Sequence, residues 1–257
     1  MIGYRLCQTK KAENPYFIEN ISTNIFTMEE LCFYMSRNLY LLDETILNEG
    51  LACWLKEELG LTVLSRKLMK LLEEKASMAE LILPVLKEIQ YLNQGEQKEL
   101  QQKLKQMEEQ PPLVRGKLKG DYLVGYHKYG NALKVYGEVL KETDESAMGS
   151  QFKGNVLHNM GCAYARLFQM EEAAACFEKA YELLHSHLSL KSYLTAVYLL
   201  GSKEEFQRKA QELKADAAVI QGLEEEIAEA LKDEKEETVT EEMLAAMTAE
   251  YHKNTGW

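Results

Sequence analysis

The most informative part of this chain reads Leu157-His-Asn-Met160-Gly161-Cys-Ala-Tyr164 and, after eight intervening residues, Ala173-Ala-Ala-Cys-Phe177-Glu-Lys-Ala180. Small residues recur among large apolar ones in both segments. No proline occurs after Pro112, and the whole chain holds only four prolines among 257 residues. Because proline interrupts helices and marks turns, this composition favours helices over a turn-rich β architecture.

The two segments resemble the tetratricopeptide repeat, whose pattern is about 34 residues long. Seven positions match in register, with Leu157 in the usual Trp place: Leu157, Met160, Gly161, Tyr164, Ala173, Phe177 and Ala180. The family's repeat is a hairpin of two helices that nests in its neighbour. The resemblance therefore implies that Gly161 and Ala173 lie where helices cross closely, beside Tyr164 and Phe177. It also implies a scaffold that binds another protein.

An earlier repeat can be traced from Gly120, which takes the place that Gly161 has in the central one. Its other places are filled by Leu123, Ala132 and Tyr136, with Leu123 replacing the usual Tyr. Gly120 precedes Gly161 by 41 residues, seven more than one period. Residues 143–150 are therefore predicted to form a longer loop or a helix extension between the two repeats.

A degenerate third repeat is predicted beyond the central one. Leu194 and Tyr198 match its first helix, but Phe206 stands where the pattern has a small residue. The acidic segment that follows, together with the apolar residues Met243, Leu244 and Met247, is predicted to form a terminal cap. A stack of repeats needs such a cap because its outer end must be polar.

Residues 1–26 are the only part of the chain with β character. Ile2–Gln8 alternates between apolar and polar residues, and Tyr16–Ile18 is a second short apolar run. Alternation of this kind indicates strands, so a small β-hairpin and an extended arm packed on helices are both compatible with it.

Helices are predicted from Thr27 onward. Thr27–Glu30 and Ser77–Glu80 have the spacing of capping boxes, in which the first and fourth residues bond to each other's backbone. Asp43 is expected to cap the helix that runs towards Leu59, and Gly60 suits the position just after its end.

The adjacent prolines Pro111 and Pro112 are the strongest break in the pattern. They divide the chain into a mainly helical domain, residues 1–110, and a repeat domain with capping helices, residues 111–257. A tight corner inside one continuous solenoid is the alternative. The predicted fold class is all-α: a superhelix of helical hairpins, an N-terminal helical domain and a small hairpin within residues 1–26.

Charge and composition narrow the function classes. The formal net charge is −11, and residues 203–257 contribute −8 of it, with 15 acidic and 7 basic residues. An acidic surface repels phosphate backbones, so nucleic acid is not expected as a partner. The start of the chain has no secretory leader pattern, and the apolar runs are too short to span a bilayer. Five scattered cysteines indicate reduced thiols, and these features predict a cytoplasmic protein without membrane contact.

No motif for catalysis or for cofactor binding is recognisable. The sequence lacks a phosphate-binding loop, a dinucleotide-binding glycine pattern, a nucleophile elbow and a zinc-protease motif. His185 and His187 are expected to lie two residues apart on one helix, where they point to different sides and cannot hold a metal together. His158 and Cys162 are one helical turn apart, but both occupy first-helix positions of the repeat. We therefore predict a protein that is not an enzyme and needs no cofactor or metal.

Candidate binding residues follow from the resemblance alone. In tetratricopeptide proteins the first helix of each repeat lines a concave surface, and four positions of that helix contact the ligand. Mapped onto this chain, the predicted groove comprises Lys117, Asp121, Asn155, His158, Cys162, Ser189 and Ser192, with Arg166 beside them. This mixture suits an extended peptide or a partner helix.

The leading functional hypothesis is a non-enzymatic adaptor that binds a protein or peptide in this groove. The alternative is a peptide-sensing regulator, because the segment Gly60–Leu68 bears a faint likeness to the entry of a helix-turn-helix. Residues 28–75 hold nine acidic and six basic side chains, which is a poor composition for a DNA-binding surface.

Overall fold

The structure is a computed structural model that describes residues 10–143, 145–201, 203–232 and 239–255. Within these residues the chain is mainly helical, which confirms the all-α class. Two strands, β1 (Tyr16–Ile18) and β2 (Thr23–Ile25), precede the helices α1 (Met28–Arg37), α2 (Glu49–Glu57), α3 (Thr62–Glu73), α4 (Met78–Glu88), α5 (Gln94–Glu108), α6 (Pro112–Gly125), α7 (Tyr129–Glu142), α8 (Glu145–Arg166), α9 (Met170–Leu184), α10 (His187–Leu200), α11 (Lys203–Glu212), α12 (Ala217–Lys232) and α13 (Glu241–Thr255).

The β character of the N-terminal segment is confirmed as a hairpin. Strands β1 and β2 pair in antiparallel register, with Tyr16 opposite Ile25 and Ile18 opposite Thr23. Ile18 and Ile25 are buried because alternate strand residues point to the same side. The other predicted strand segment, Ile2–Gln8, lies outside the described residues.

Both predicted capping boxes are present. The Thr27 side chain accepts the Glu30 N–H, and the Glu30 carboxylate accepts the Thr27 N–H in return. Ser77 and Glu80 do the same at the start of α4. These reciprocal bonds satisfy amides that the helix itself leaves without partners.

The predicted cap of α2 is wrong. Asn48, not Asp43, is its N-cap, and the Asn48 side chain accepts the Leu51 N–H at 3.0 Å. Asp43 instead accepts the Thr45 N–H in a turn five residues earlier. The predicted end of this helical segment is correct, because Gly60 has a φ of +73°, which glycine adopts without strain.

The chain divides into two compact units, Met1–Tyr122 and Leu123–Trp257, and the division falls within α6. We call them the N-terminal and C-terminal units. In the N-terminal unit, α1 to α4 bury a set of large apolar side chains: Met28, Leu31, Met35, Leu51, Leu55, Leu64, Leu68, Ile82, Val85 and Leu86. Pro84 is accommodated inside α4.

In the C-terminal unit, two turns with the same hydrogen-bond pattern recur 41 residues apart. His127 donates its N–H to Val124 O and Lys128 to Leu123 O, at 3.0 and 2.8 Å. The same bonds recur from Phe168 to Ala165 and from Gln169 to Tyr164, at 3.1 and 3.0 Å. His127 and Phe168 also share a left-handed φ, of 58° and 59°. This spacing equals the one that the sequence predicted between the first and central repeats.

The region between those repeats is helical but interrupted. Gly149 has φ 75° and ψ 158°, so α8 consists of a short helical extension followed by a long helix from Ser150 to Arg166. The predicted region of extension or loop, residues 143–150, therefore ends at a kink.

One apolar cluster joins α9, the second helix of the central repeat, to the three helices that follow it, α10, α11 and α12. Phe206 of α11 is fully buried in it and meets the Tyr198 ring edge to face, with centroids 5.5 Å apart. Leu223 and Ile227 attach α12 to the same cluster. In contrast, α13 contacts α7, and the side chains from Glu241 to His252 are all exposed.

Candidate functional site

The central hairpin of α8 and α9 is held by a close approach at Gly161. A Cβ added to Gly161 would lie 2.7 Å from Cε1 of Phe177, which is closer than real Cβ contacts come. Gly154, about two turns earlier, packs in the same way against Leu184, whose Cγ would lie 2.6 Å from an added Cβ. Ala173 and Ala180 of α9 are fully buried. The small residues therefore set the distance between these helices, as the repeat pattern implied.

A polar interaction ties α9 to α10 next to the apolar cluster. The Tyr193 hydroxyl donates a hydrogen bond to Glu178 Oε1 at 2.9 Å. Burial is the main cause that raises the pKa of Tyr193, and the bond to Glu178 adds to it. Tyr193 therefore stays a neutral donor, and the carboxylate of Glu178 has a partner at the edge of the core.

His158 and Ser189, two predicted groove residues, lie against each other. Ser189 Oγ is 3.2 Å from His158 Nδ1, and Ser186 Oγ donates to Ser189 Oγ at 2.9 Å. Ser186 is also the N-cap of α10 and accepts the Ser189 N–H. The His158 ring packs on Phe177, with centroids 5.3 Å apart. This chain of contacts links α8 to the first turn of α10, and burial lowers the pKa of His158.

The other predicted groove residues of the C-terminal unit differ in exposure. Asn155 and Arg166 of α8 are exposed, whereas Cys162 and Ser192 are partly buried and Ser189 is only 1% exposed. Cys162 packs against the shared apolar cluster, and burial raises the pKa of its thiol. Asn155 and Arg166 are thus exposed, whereas His158 and Ser189 contact each other between α8 and α10.

The two predicted groove residues of the N-terminal unit form an ion pair. Lys117 Nζ lies 2.6 Å from Asp121 Oδ2, one turn along α6, and both side chains are partly buried. Paired in this way, they present little net charge to a ligand.

Two histidines that the sequence singled out are not on one helix. His185 is the left-handed C-cap of α9, with φ 47°, and His187 is the first residue of α10. The geometric premise used for them was therefore wrong. Among the described residues, no three His, Cys, Asp or Glu side chains gather in a way that could hold a metal ion.

One exposed aromatic residue escaped the sequence reasoning. Phe168, at the turn between α8 and α9, is 86% exposed. The matching turn of the earlier repeat has the polar residue His127 in its place, so the repeat pattern gives no reason for an apolar side chain there. Its exposure adds an apolar side chain next to the end of α8, near Arg166 in the chain.

Comparisons with known proteins agree with the geometry of the central hairpin. No curated protein and no solved structure matches the chain. In the described part of the chain, no helix combines the length and the apolar character needed to cross a membrane. A family model described as "Tetratricopeptide repeat" matches residues 154–187. The match starts at Gly154, which packs closely on Leu184, and ends at His187, the first residue of α10. The chain therefore contains a tetratricopeptide repeat, formed by α8 and α9.

Proposed function

We propose that the protein is a non-enzymatic adaptor that binds a peptide or a partner helix on the face lined by α8 and α10. The repeat match supports this proposal, since tetratricopeptide repeats generally mediate protein–protein interactions. The observation that carries it is that Asn155, at a predicted ligand position of α8, and Arg166, beside that row, are exposed while the other side of the helix is packed.

Rigidity is the physical basis of the proposed recognition. The contact of Gly161 with Phe177 fixes α8 against α9, and the bond between His158 and Ser189 fixes α8 against α10. A surface that is already ordered loses little conformational entropy when a ligand binds. An exposed guanidinium at Arg166 can pair with a carboxylate of the partner in a bidentate geometry.

The experiment compares partner capture by the full-length chain and by two charge reversals. Arg166→Glu changes the proposed face, and Lys141→Glu makes the same charge change at an exposed position of α7. Proteins that co-purify with each form are quantified by mass spectrometry. We expect one set of partners to be lost with Arg166→Glu and kept with Lys141→Glu, while both variants melt like the parent.

The contrary outcome would place recognition elsewhere. If capture survives Arg166→Glu and fails only when residues 1–110 are deleted, the N-terminal domain is the recognition module and the repeats support it. Equal loss in both reversals would indicate a general effect of charge and would also contradict the proposed face.

Lys117 needs a different design because of its ion pair with Asp121. A reversal to Glu would put two carboxylates one turn apart and would weaken α6 as well as binding. The exchange Lys117→Asp with Asp121→Lys keeps the pair and moves the cation. If Lys117 contacts the partner, we expect this exchange to reduce capture without lowering the melting temperature.

A further inference from the structure

Helices α2 and α3 of the N-terminal unit form a compact corner. They are joined by residues 58–61, in which Gly60 has a left-handed φ of 73°. Gly60 donates its N–H to Lys56 O and Leu61 donates its N–H to Leu55 O, so two carbonyls of the last turn of α2 have partners. Leu64 and Leu68 bury one side of α3. This anchoring turns the opposite side of α3 towards solvent.

The exposed side of α3 is cationic over its first turns. Val63 is 77% exposed, and Arg66, Lys67 and Lys70 are exposed at three, four and seven residues from it. Residues at these spacings share one face of a helix. No acidic residue occurs from Thr62 to Lys70. Glu73 and Glu74 follow only in the last turn and at the end of the helix, and Glu74 lies 3.6 Å from Lys70.

Some of the acidic residues counted within residues 28–75 bind other groups of the protein. Glu30 accepts two backbone N–H groups at the start of α1, and Asp43 pairs with Lys119. Glu58 accepts both the N–H and the side-chain amide of Asn14, and these bonds lower the pKa of its carboxyl. Glu30 and Glu58 keep their negative charge in these bonds, whereas Lys119 offsets the charge of Asp43.

Unlike these carboxylates, two cations on α3 have no side-chain partner among the described residues. Within the part of the chain that the structure describes, the side chains of Arg66 and Lys67 form no hydrogen bond and no ion pair. The two units also differ in charge. Residues 1–122 hold 16 basic and 18 acidic residues, a net charge of −2, whereas residues 123–257 hold 14 and 23, a net charge of −9. The acidity of the chain is thus concentrated away from the unit that contains α3.

We propose that α3 binds duplex DNA, with its first turns in a groove and Arg66, Lys67 and Lys70 directed to the phosphates. Helix-turn-helix proteins contact base edges with the N-terminal residues of a second helix that follows a short turn, and α3 follows α2 in this order with its N-terminal residues exposed. This inference departs from the expectation drawn from the net charge of the whole chain. It is independent of the groove proposed for α8 and α10.

The test measures binding of the full-length protein to a fluorescein-labelled DNA duplex of random sequence by anisotropy, at several salt concentrations. The variant Arg66→Gln/Lys67→Gln is compared with Lys98→Gln/Lys103→Gln. The second pair removes the same charge from exposed positions of α5 in the same unit. We expect the parent to bind with a log–log salt slope near −2.7, which corresponds to about three phosphate contacts. The α3 variant loses two of these contacts, so its slope should fall to about −0.9 and its affinity at about 0.1 M salt should drop roughly 60-fold. The α5 variant should bind like the parent.

Three outcomes would overturn the proposal. The first is that the parent does not shift the anisotropy even at low salt. The second is that both variants lose affinity equally, which would mean diffuse attraction without a site on α3. The third is that the α3 variant binds like the parent. Circular dichroism melting of each variant separates a loss of binding from a loss of fold, because all four substituted side chains are exposed.

Discussion

At the scale of single residues, glycine has opposite effects in two helices of the C-terminal unit. Gly161→Ala places a methyl group 2.7 Å from the Phe177 ring, so we expect it to lower the free energy of unfolding by about 1–3 kcal/mol. Gly137, inside α7, has no atom within 4 Å of the position of an added Cβ. Gly137→Ala should therefore stabilise the protein by about 0.5–1 kcal/mol through helix propensity. Urea denaturation of both variants checks the pair, and equal signs would contradict the packing described for Gly161.

Phe177 tests the same hairpin from the other helix. It is buried against Gly161 and the His158 ring, so Phe177→Ala should cost about 3–5 kcal/mol. Ala173→Leu should cost about 1–3 kcal/mol, because a fully buried methyl site has no room for the larger side chain. Melting of either variant at the parental temperature would show that the register of the repeat is wrong.

The sequence could predict Gly161 and Phe177 because a helix hairpin of fixed geometry requires a small residue and a large one at those spacings. It could not predict the contact of His158 with Ser189. These residues are 31 positions apart, and their meeting depends on the angle at which the chain leaves the C-cap His185 and starts α10 at Ser186. A polar residue at a ligand position can equally bond to the next helix, and the residue type does not distinguish the two uses.

At the scale of helices, His158 makes the junction of α8 and α10 sensitive to pH. Burial lowers the pKa of its imidazole in the folded protein, so the unfolded chain takes up the proton more readily. The contribution of neutral His158 to the free energy of unfolding is complete above the unfolded pKa of about 6.5. It is lost as the pH falls through the pKa of His158 in the folded protein. A charged imidazole would also face the positive end of α10.

The measurement is the difference in melting temperature between the parent and His158→Gln from pH 8 to pH 5. Glutamine can still accept the Ser189 hydroxyl but does not titrate, so the carboxylates common to both proteins cancel. We expect the parent to lose stability relative to His158→Gln below about pH 6.5. A difference in melting temperature that stays constant over this range would mean that protonation of His158 does not destabilise the folded protein.

The N-caps of the helices show which local features can be predicted from neighbouring residues alone. The capping boxes at Thr27 and Ser77 were predictable because both partners lie within one turn and the bonds are reciprocal. Asp43 and Asn48 are both good caps, and spacing alone does not choose between them. Asp43 is used by the turn to Thr45 and by Lys119, which lies 76 residues away, so its role depends on tertiary structure.

At the scale of the whole molecule, the last two described helices of the C-terminal unit differ in how they are anchored. The sequence predicted a cap made of the acidic helix and of Met243, Leu244 and Met247. The structure gives buried anchors to α12, through Leu223 and Ile227, whereas these three residues of α13 are exposed. Amphipathic spacing predicts that a helix forms, but it does not say whether its apolar side is covered in the same chain.

This difference gives the last prediction. Deletion of residues 239–257 removes side chains that are exposed from Glu241 to His252, so it should change the free energy of unfolding by only about 0.5 kcal/mol. Leu223→Ala in α12 should cost about 2–5 kcal/mol, because that side chain is 1% exposed within the shared cluster. Chemical denaturation followed by circular dichroism measures both. If the deletion costs as much as Leu223→Ala, α13 stabilises the unit as the sequence predicted, and its contact with α7 is part of the cap.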